Sequence, residues 1–493
     1  MPLILALFTA IYSILPFSVG PTSPFFTLDQ EVVYMTNALS YVVRRQIPFY
    51  DHPGTPGILI LAASYTPLRL WAKYAVSTPF IDWSINHFTF LMFYSRFIAL
   101  ITCFLGVLIY LQAIFRYTAS RLAVFLAWLG LFAFSQFLRN GVRPTPENFL
   151  YLSTAIWLWF FLAFIKRQKV SHLIFLNLAA GFALATKLTS LPLVIITLIC
   201  SAWFLFPKIK LWIFVSGLTG VSFILSTWPI RTYYILLFGW ATTLVTRLEV
   251  STKGTVGVFS LDRTLNGLAA SNQQEPIMTL YFWLALLIFI AAFKKLPRLS
   301  GFLFALAIGL IELFFFSYAK FSRPHYALLN YLVLNSLLTI LLARSRHALL
   351  VFTLLLIPVS LNQILSHARW SVPLARLARV EDFIASHPPK HKTLWYIADT
   401  KDFALLWGRV WSGEFYGPQL DKYYPRIGEI VNPQTYRDNS TRTYPIFSVC
   451  WDQLYLRDSE LGEFLHQHRD RKLTVQSVPF TRELFLVTSY HCF

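Results

Sequence analysis

Five short polar stretches, each bordered by apolar sequence, hold the side chains best able to do chemistry. Residues 29–34 (DQEVVY) bring Asp29 and Glu31 close together, with Tyr34 three positions on. A carboxylate at a membrane surface can take the proton from an acceptor hydroxyl or amine. The same acids also suit a helix start, where the positive end of the dipole attracts them. Residues 49–56 (FYDHPGTP) offer Asp51 and His52, fit to grip a sugar, a phosphate or a metal, or else to open a turn that Pro53 ends. Residues 143–147 (RPTPE) set Arg143 and Glu147 around two prolines. That turn is rigid enough to position a site, or is only the opening of a helix at Pro146. Lys187, in residues 181–192 (GFALATKLTSLP), either snorkels to the membrane surface or meets a lipid phosphate as a point charge. Lys320, Arg323 and His325 in residues 319–326 (AKFSRPHY) form a cationic cluster suited to phosphate, or an interfacial anchor.

The elements that must position these groups are membrane helices. Hydrophobic residues make up 56% of 493, and charged residues only 13%. So much apolar surface is at home only where part of the solvent is lipid. A spanning helix needs about 20 apolar residues. The runs 2–19, 88–114, 122–138, 148–165, 172–186, 191–206, 211–230, 277–293, 299–317, 326–343 and 348–365 predict about eleven spans, the fifth tilted or broken near Lys187. The N-terminus lacks a basic leader and a cleavage signature, and reads as a retained first helix.

Charge sets the expected orientation. With the N-terminus in the cytoplasm, the inside loops carry Arg116 and Arg121, then Lys166, Arg167 and Lys169, then Lys208 and Lys210, then Lys294, Lys295 and Arg298, then Arg344 and Arg346, and no acid. Asp29, Glu31, Asp51, Glu147, Glu249, Asp262 and Glu275 all fall outside. This is the positive-inside pattern. It explains the net charge of +19 through topology and anionic lipid, so no nucleic acid partner is expected.

Residues 20–87 form the first outside loop. In it Val32, Met35, Leu39, Val42 and Val43 recur at helical spacing, with Asn37, Ser40 and Arg44 off the stripe, predicting a helix on the membrane surface. A second interfacial helix is expected over 58–75, after Pro53 and Pro56 redirect the chain. Residues 231–276 form another long outside segment, containing STKGTVGVFS, a glycine-punctuated flexible loop. Two domains follow from this pattern: a membrane domain, 1–365, and a polar tail, 366–493, long enough for a small α/β domain. In the tail, residues 373–389 predict a helix, and TLWYIAD, IFSVCW and ELFLVTSY predict strands. Cys103 and Cys200 lie in apolar runs; Cys450 and Cys492 lie in the tail and can form a disulfide if it is extracytoplasmic. No P-loop, GxSxG, HExxH or GxGxxG stands in its required context, so nucleotide-sugar and ATP chemistry have no support.

Taken in order, DQEVVY, FYDHPGTP, RPTPE, GFALATKLTSLP and RPHY resemble a GT-C superfamily membrane glycosyltransferase, nearest in pattern to the protein O-mannosyltransferases and the aminoarabinose lipid A transferases. The likeness covers roughly residues 1–340. It implies a mainly α polytopic membrane fold and an inverting enzyme of the bacterial inner membrane. Such an enzyme transfers a hexosyl or pentosyl group from a polyprenyl-phosphate donor to a glycolipid, glycan or protein acceptor outside the cell. The implied base is Asp29 or Glu31, with Asp29 preferred. The family's pattern is an adjacent Asp-Glu followed by Tyr; here Gln30 takes the Asp position, and His52-Pro53-Gly54 replaces a His-Pro-Pro. Asp51 and His52 are expected to line the sugar or acceptor site, and Lys187, Arg143 and Arg323 to hold the departing phosphate. Tyr34, Glu147, Lys320 and His325 complete the expected binding set. No cofactor is expected, since fixed cations can do the work of a metal, although some GT-C relatives use a divalent cation. A monomer in contact with membrane lipids is expected. The competing class is a transporter or flippase of lipid-linked sugar.

Overall fold

A computed structural model describes residues 1–17, 31–49, 54–246, 276–292, 328–369, 371–387, 393–395, 401–412, 416–424, 429–430, 453–467, 473–478 and 484–489, and five isolated positions between 262 and 273. The chain is mainly helical. The helices are α1 (Pro2–Ile14), α2 (Glu31–Arg44), α3 (Thr55–Tyr74), α4 (Phe80–Asn86), α5 (Phe88–Thr118), α6 (Arg121–Ala133), α7 (Gln136–Gly141), α8 (Pro146–Arg167), α9 (Val170–Thr186), α10 (Leu191–Leu205), α11 (Ile209–Thr227) and α12 (Tyr234–Thr246). Then come α13 (Pro276–Ala292), α14 (Leu328–Leu342), α15 (Arg346–Ala368), α16 (Ser371–Ala385), α17 (Lys401–Ser412), α18 (Gly417–Tyr423) and α19 (Asp458–Gln467).

Among the described residues, five helical stretches are long and apolar enough to cross a membrane: Phe88–Thr118, Pro146–Arg167, Leu188–Leu205, Ile209–Thr243 and Arg346–Ala368. Along α15, Leu350, Val351, Leu354, Leu355, Leu361 and Leu365 are exposed. Such a stripe is unfavourable in water and neutral in lipid, and the chain is an integral membrane protein. Shorter apolar helices stand at Pro2–Ile14, Arg121–Ala133, Val170–Thr186 and Tyr331–Leu342. The span expected at 299–317 lies outside the described residues, as do Cys450 and Cys492.

The contacts divide the chain into two units. The first comprises residues 1–14, 49–60 and 96–368; the second comprises 15–48, 61–95 and 369–493. In the first unit α8, α9, α10 and α11 pack on one another through small and polar residues. Asn177 donates to Ser201 Oγ at 2.9 Å and accepts from Thr219 Oγ1 at 2.9 Å, joining α9 to α10 and α11. Trp157 Nε1 donates to Thr197 Oγ1 at 2.9 Å, joining α8 to α10. Between membrane helices, close approach and such bonds replace the hydrophobic drive. At Gly181 α9 and α11 approach closely: a Cβ there would run into the Thr219 carbonyl oxygen, and a backbone atom cannot step aside. Gly181→Ala is therefore expected to destabilise the protein by about 1–3 kcal/mol, read as a lower melting temperature in detergent. An unchanged melt would remove this contact from the interface.

Several expectations need correction. The span expected at 122–138 is two helices, α6 and α7. No residue between them is a helix breaker; Phe134 is extended and its ring stacks on Tyr331 with centroids 4.7 Å apart, so tertiary packing makes the break. The outside segment expected over 231–276 opens with the end of a 3-10 turn and α12, and its glycine-punctuated stretch STKGTVGVFS lies outside the described residues. Pro56 does not redirect the chain but lies in the first turn of α3, a position where proline's missing N–H is no loss.

In the second unit α2 does not lie with a polar face outward. Asn37 and Ser40, expected off the apolar stripe, are as buried as Val32 and Leu39. Burial of both faces is possible because the polar side chains satisfy themselves. Thr36 Oγ1 donates to Val32 O at 2.8 Å, and Asn37 Nδ2 donates to Val33 O at 2.8 Å.

The tail forms a five-stranded sheet from β1 (Thr393–Trp395), β2 (Glu429–Ile430), β3 (Gln453–Arg457), β4 (Leu473–Ser477) and β5 (Leu484–Ser489), in the order β2-β1-β3-β5-β4. β1 runs parallel to β2 and β3, whereas β5 is antiparallel to β3 and β4, with Leu454 opposite Val487. The strands expected in TLWYIAD and ELFLVTSY appear as β1 and β5. IFSVCW lies outside the described residues, and β3 follows it.

Candidate functional site

The site in the first unit is built from two helix junctions. Pro146 holds the first position of α8, where its fixed φ suits the helix. Ahead of it, Thr145 N–H donates to Arg143 O at 2.8 Å and Arg143 N–H to Asn140 O at 3.2 Å, drawing the chain into a tight turn. Arg143 on that turn is half-buried, and Glu147 falls in the first turn of α8. The second junction lies between α9 and α10. α9 ends at Thr186, Lys187 is extended with φ −160° and ψ 134°, and a 3-10 turn over Leu188–Ser190 leads into α10. The break expected near Lys187 is therefore present.

The Lys187 ammonium donates to Glu147 Oε1 as an ion pair between residues 40 apart in sequence. The two side chains are only 1% and 3% exposed, so Lys187 does not snorkel to the surface. A buried pair of opposite charge survives only with close geometry, because desolvation of each ion costs several kcal/mol. A buried ion pair inside a polytopic membrane chain is a functional-site candidate.

Three buried oxygens flank the pair along the chain: Thr145 Oγ1, Asn148 Oδ1 and Ser190 Oγ have no hydrogen-bond partner among the described residues. Buried polar atoms are nearly always bonded, so their presence at both junctions marks a locus prepared for polar contact. Asn148 also fixes the junction. Its Nδ2 donates to Gly141 O at 2.7 Å, Ala99 O at 3.1 Å and Asn140 O at 3.2 Å, tying α8 to α5 and α7. Sequence reasoning passed over Asn148, Thr145 and Ser190. The available signal was an amide inside the apolar run of α8, which is costly unless it has work to do.

In the second unit Glu31 is the first residue of α2 and is fully buried. Tyr34, also buried, stands three residues on, on the same helix face. The rotation of α2 is held by α17, whose Gly408 admits it: a Cβ there would lie 2.6 Å from Thr36 Cγ2 and 3.2 Å from Val32 Cγ1. Asp29, Asp51, His52, Lys320, Arg323 and His325 lie outside the described residues. Of the expected site residues, the fold thus joins Glu147 to Lys187, sets Arg143 on the turn that opens α8, and sets Glu31 and Tyr34 on α2.

No protein-family profile and no curated protein sequence matches the chain. Solved structures do. ArnT from Cupriavidus metallidurans in the apo state matches at TM-score 0.51 and 12% identity, over 94% of this chain and 95% of that one. The structure of the same protein bound to undecaprenyl phosphate matches at TM-score 0.48 and 12% identity, over 99% of this chain and 98% of that one. Over 94% of its length, this chain has the fold of ArnT.

Proposed function

We propose that the protein is a membrane glycosyltransferase that moves a sugar from a polyprenyl-phosphate donor to an envelope acceptor on the extracytoplasmic face. The observation that carries this reading is the Glu147–Lys187 pair. RPTPE and GFALATKLTSLP were singled out separately by the resemblance, and they meet at a buried pair of opposite charge. The ArnT fold supports the same reading.

In the proposed reaction Asp29 takes the proton from the acceptor hydroxyl or amine. The freed oxygen or nitrogen lone pair bonds to the anomeric carbon from the face opposite the phosphate. The carbon–oxygen bond to phosphate breaks, its electron pair leaving with the polyprenyl phosphate, so the anomeric centre inverts. Lys187, with Arg143 and Arg323, holds the charge that develops on the phosphate. Asp51 and His52 contact the sugar or acceptor. Phosphate leaves readily, so no separate general acid takes part, and fixed cations stand in for a metal.

The test is purified protein in liposomes with a radiolabelled polyprenyl-phosphate sugar and a glycolipid acceptor. Label should pass to the acceptor. Movement of the lipid across the bilayer with no transfer would instead establish the transporter reading. Orientation is tested apart from this, by labelling single cysteines placed at 430–445 in intact cells. Labelling from outside is expected, and protection would invert the topology.

A further inference from the structure

The end of α8 away from Glu147 carries a second polar site. α8 has 22 residues, which places its two ends roughly 30 Å apart. Around its last turn, the end of α5 and the start of α9 complete a cavity of about 270 Å³. Arg116, Lys166, Arg167 and His172 line it, Tyr117 and Trp159 form aromatic walls, and no carboxylate is among the lining residues.

The cations are held in place by contacts that leave donors available. The Arg116 guanidinium stands 4.2 Å from the centre of the Trp159 ring, which orients it without consuming its N–H groups. The Lys166 ammonium donates to Arg116 O at 2.7 Å and Tyr117 O at 3.3 Å, capping the last turn of α5 and leaving one of its three donors. His172 Nδ1 is buried with no hydrogen-bond partner among the described residues. About one turn beyond His172 on α9, the exposed Phe175 stacks on Phe160 of α8 with centroids 5.1 Å apart. Cationic donors at a helix end, aromatic walls beside them and exposed apolar surface below match an amphiphile better than a soluble anion.

We propose that this cavity binds the phosphate of an anionic glycerophospholipid, with Trp159 and Tyr117 against the glycerol and Phe175 against an acyl chain. Arg116 and Arg167 supply the charge that selects an anionic headgroup over a zwitterionic one. Occupancy does not depend on the reaction proposed above.

The experiment is native mass spectrometry of full-length protein released from nanodiscs of phosphatidylcholine mixed in equal parts with phosphatidylglycerol. The parent should retain phosphatidylglycerol in preference to phosphatidylcholine. Arg116→Gln with Arg167→Gln should weaken that retention about tenfold. Lys208→Gln with Lys210→Gln, at the start of α11 and outside the cavity lining, should leave it unchanged. Equal retention of both lipids by the parent, or equal losses in the two double variants, would overturn the site. In detergent, displacement of phosphatidylglycerol by inorganic phosphate at matched concentration would reassign the cavity to a soluble phosphate and overturn the lipid assignment. If the double arginine variant melts below the parent, Arg167→Gln alone decides, since Arg167 is exposed.

Discussion

Asp29→Asn is expected to lower the rate of sugar transfer by about 10²–10⁴-fold, the usual worth of a positioned general base. Donor binding and melting temperature should stay near the parent's. Glu31→Gln is expected to cost transfer less than about tenfold. The difference between the two carboxylates follows from where Glu31 sits. It is fully buried and opens α2. A carboxylate buried that way suits the positioning of α2 and Tyr34 better than contact with an acceptor. The acceptor assay on the two single variants, with donor binding measured in parallel, checks both statements. A silent Asp29→Asn beside an inactive Glu31→Gln would move the base to Glu31. Parent rates in both would remove this stretch from the chemistry.

The spacing of apolar residues was a sufficient guide to most membrane helices. α8, α9, α10 and α13 begin and end within a few residues of the runs that predict them. Local chemistry also marked the junctions correctly: Pro146 at the first position of α8, and the break at Lys187. Both features are local, since proline's fixed φ and a charged residue in an apolar run act on their own neighbours.

What escaped the sequence was set by distant partners. Lys187 alone reads as a snorkelling cation or a point charge for a lipid phosphate, because nothing near it in the chain reveals a carboxylate 40 residues earlier. The stripe on α2 is real, but the same stripe fits a helix on a membrane and a helix buried on both faces. Asn37 and Thr36 decide between them by bonding their own backbone, which no period detects. Phe134 interrupts a good helical run to reach Tyr331, nearly two hundred positions away. In the tail, β3 is a five-residue strand whose partner β5 is supplied from beyond α19. Short strands of this kind carry too few residues for alternation to single them out.

The ion pair offers the sharpest separation of structure from function. Lys187→Met leaves the Glu147 carboxylate buried without its counter-ion, and Glu147→Gln leaves the ammonium so. Each is expected to cost about 3–5 kcal/mol of stability, the cost of breaking a buried pair from one side. The double variant Glu147→Gln with Lys187→Met should recover most of that loss, because a neutral pair of similar volume replaces the ions and no charge is left stranded. Transfer should not recover with it. If Lys187 holds the departing phosphate, the double variant folds like the parent and still transfers about 10²–10³-fold more slowly, as when a single electrostatic donor is removed from a developing charge. Melting temperature in detergent and transfer rate on the same preparations read the two effects separately. Recovery of both in the double variant would make the pair a structural brace and take Lys187 out of the phosphate site. Full stability in both single variants would contradict the burial of the pair itself. In either case the turn that carries Arg143 would have to hold the phosphate without help from α9.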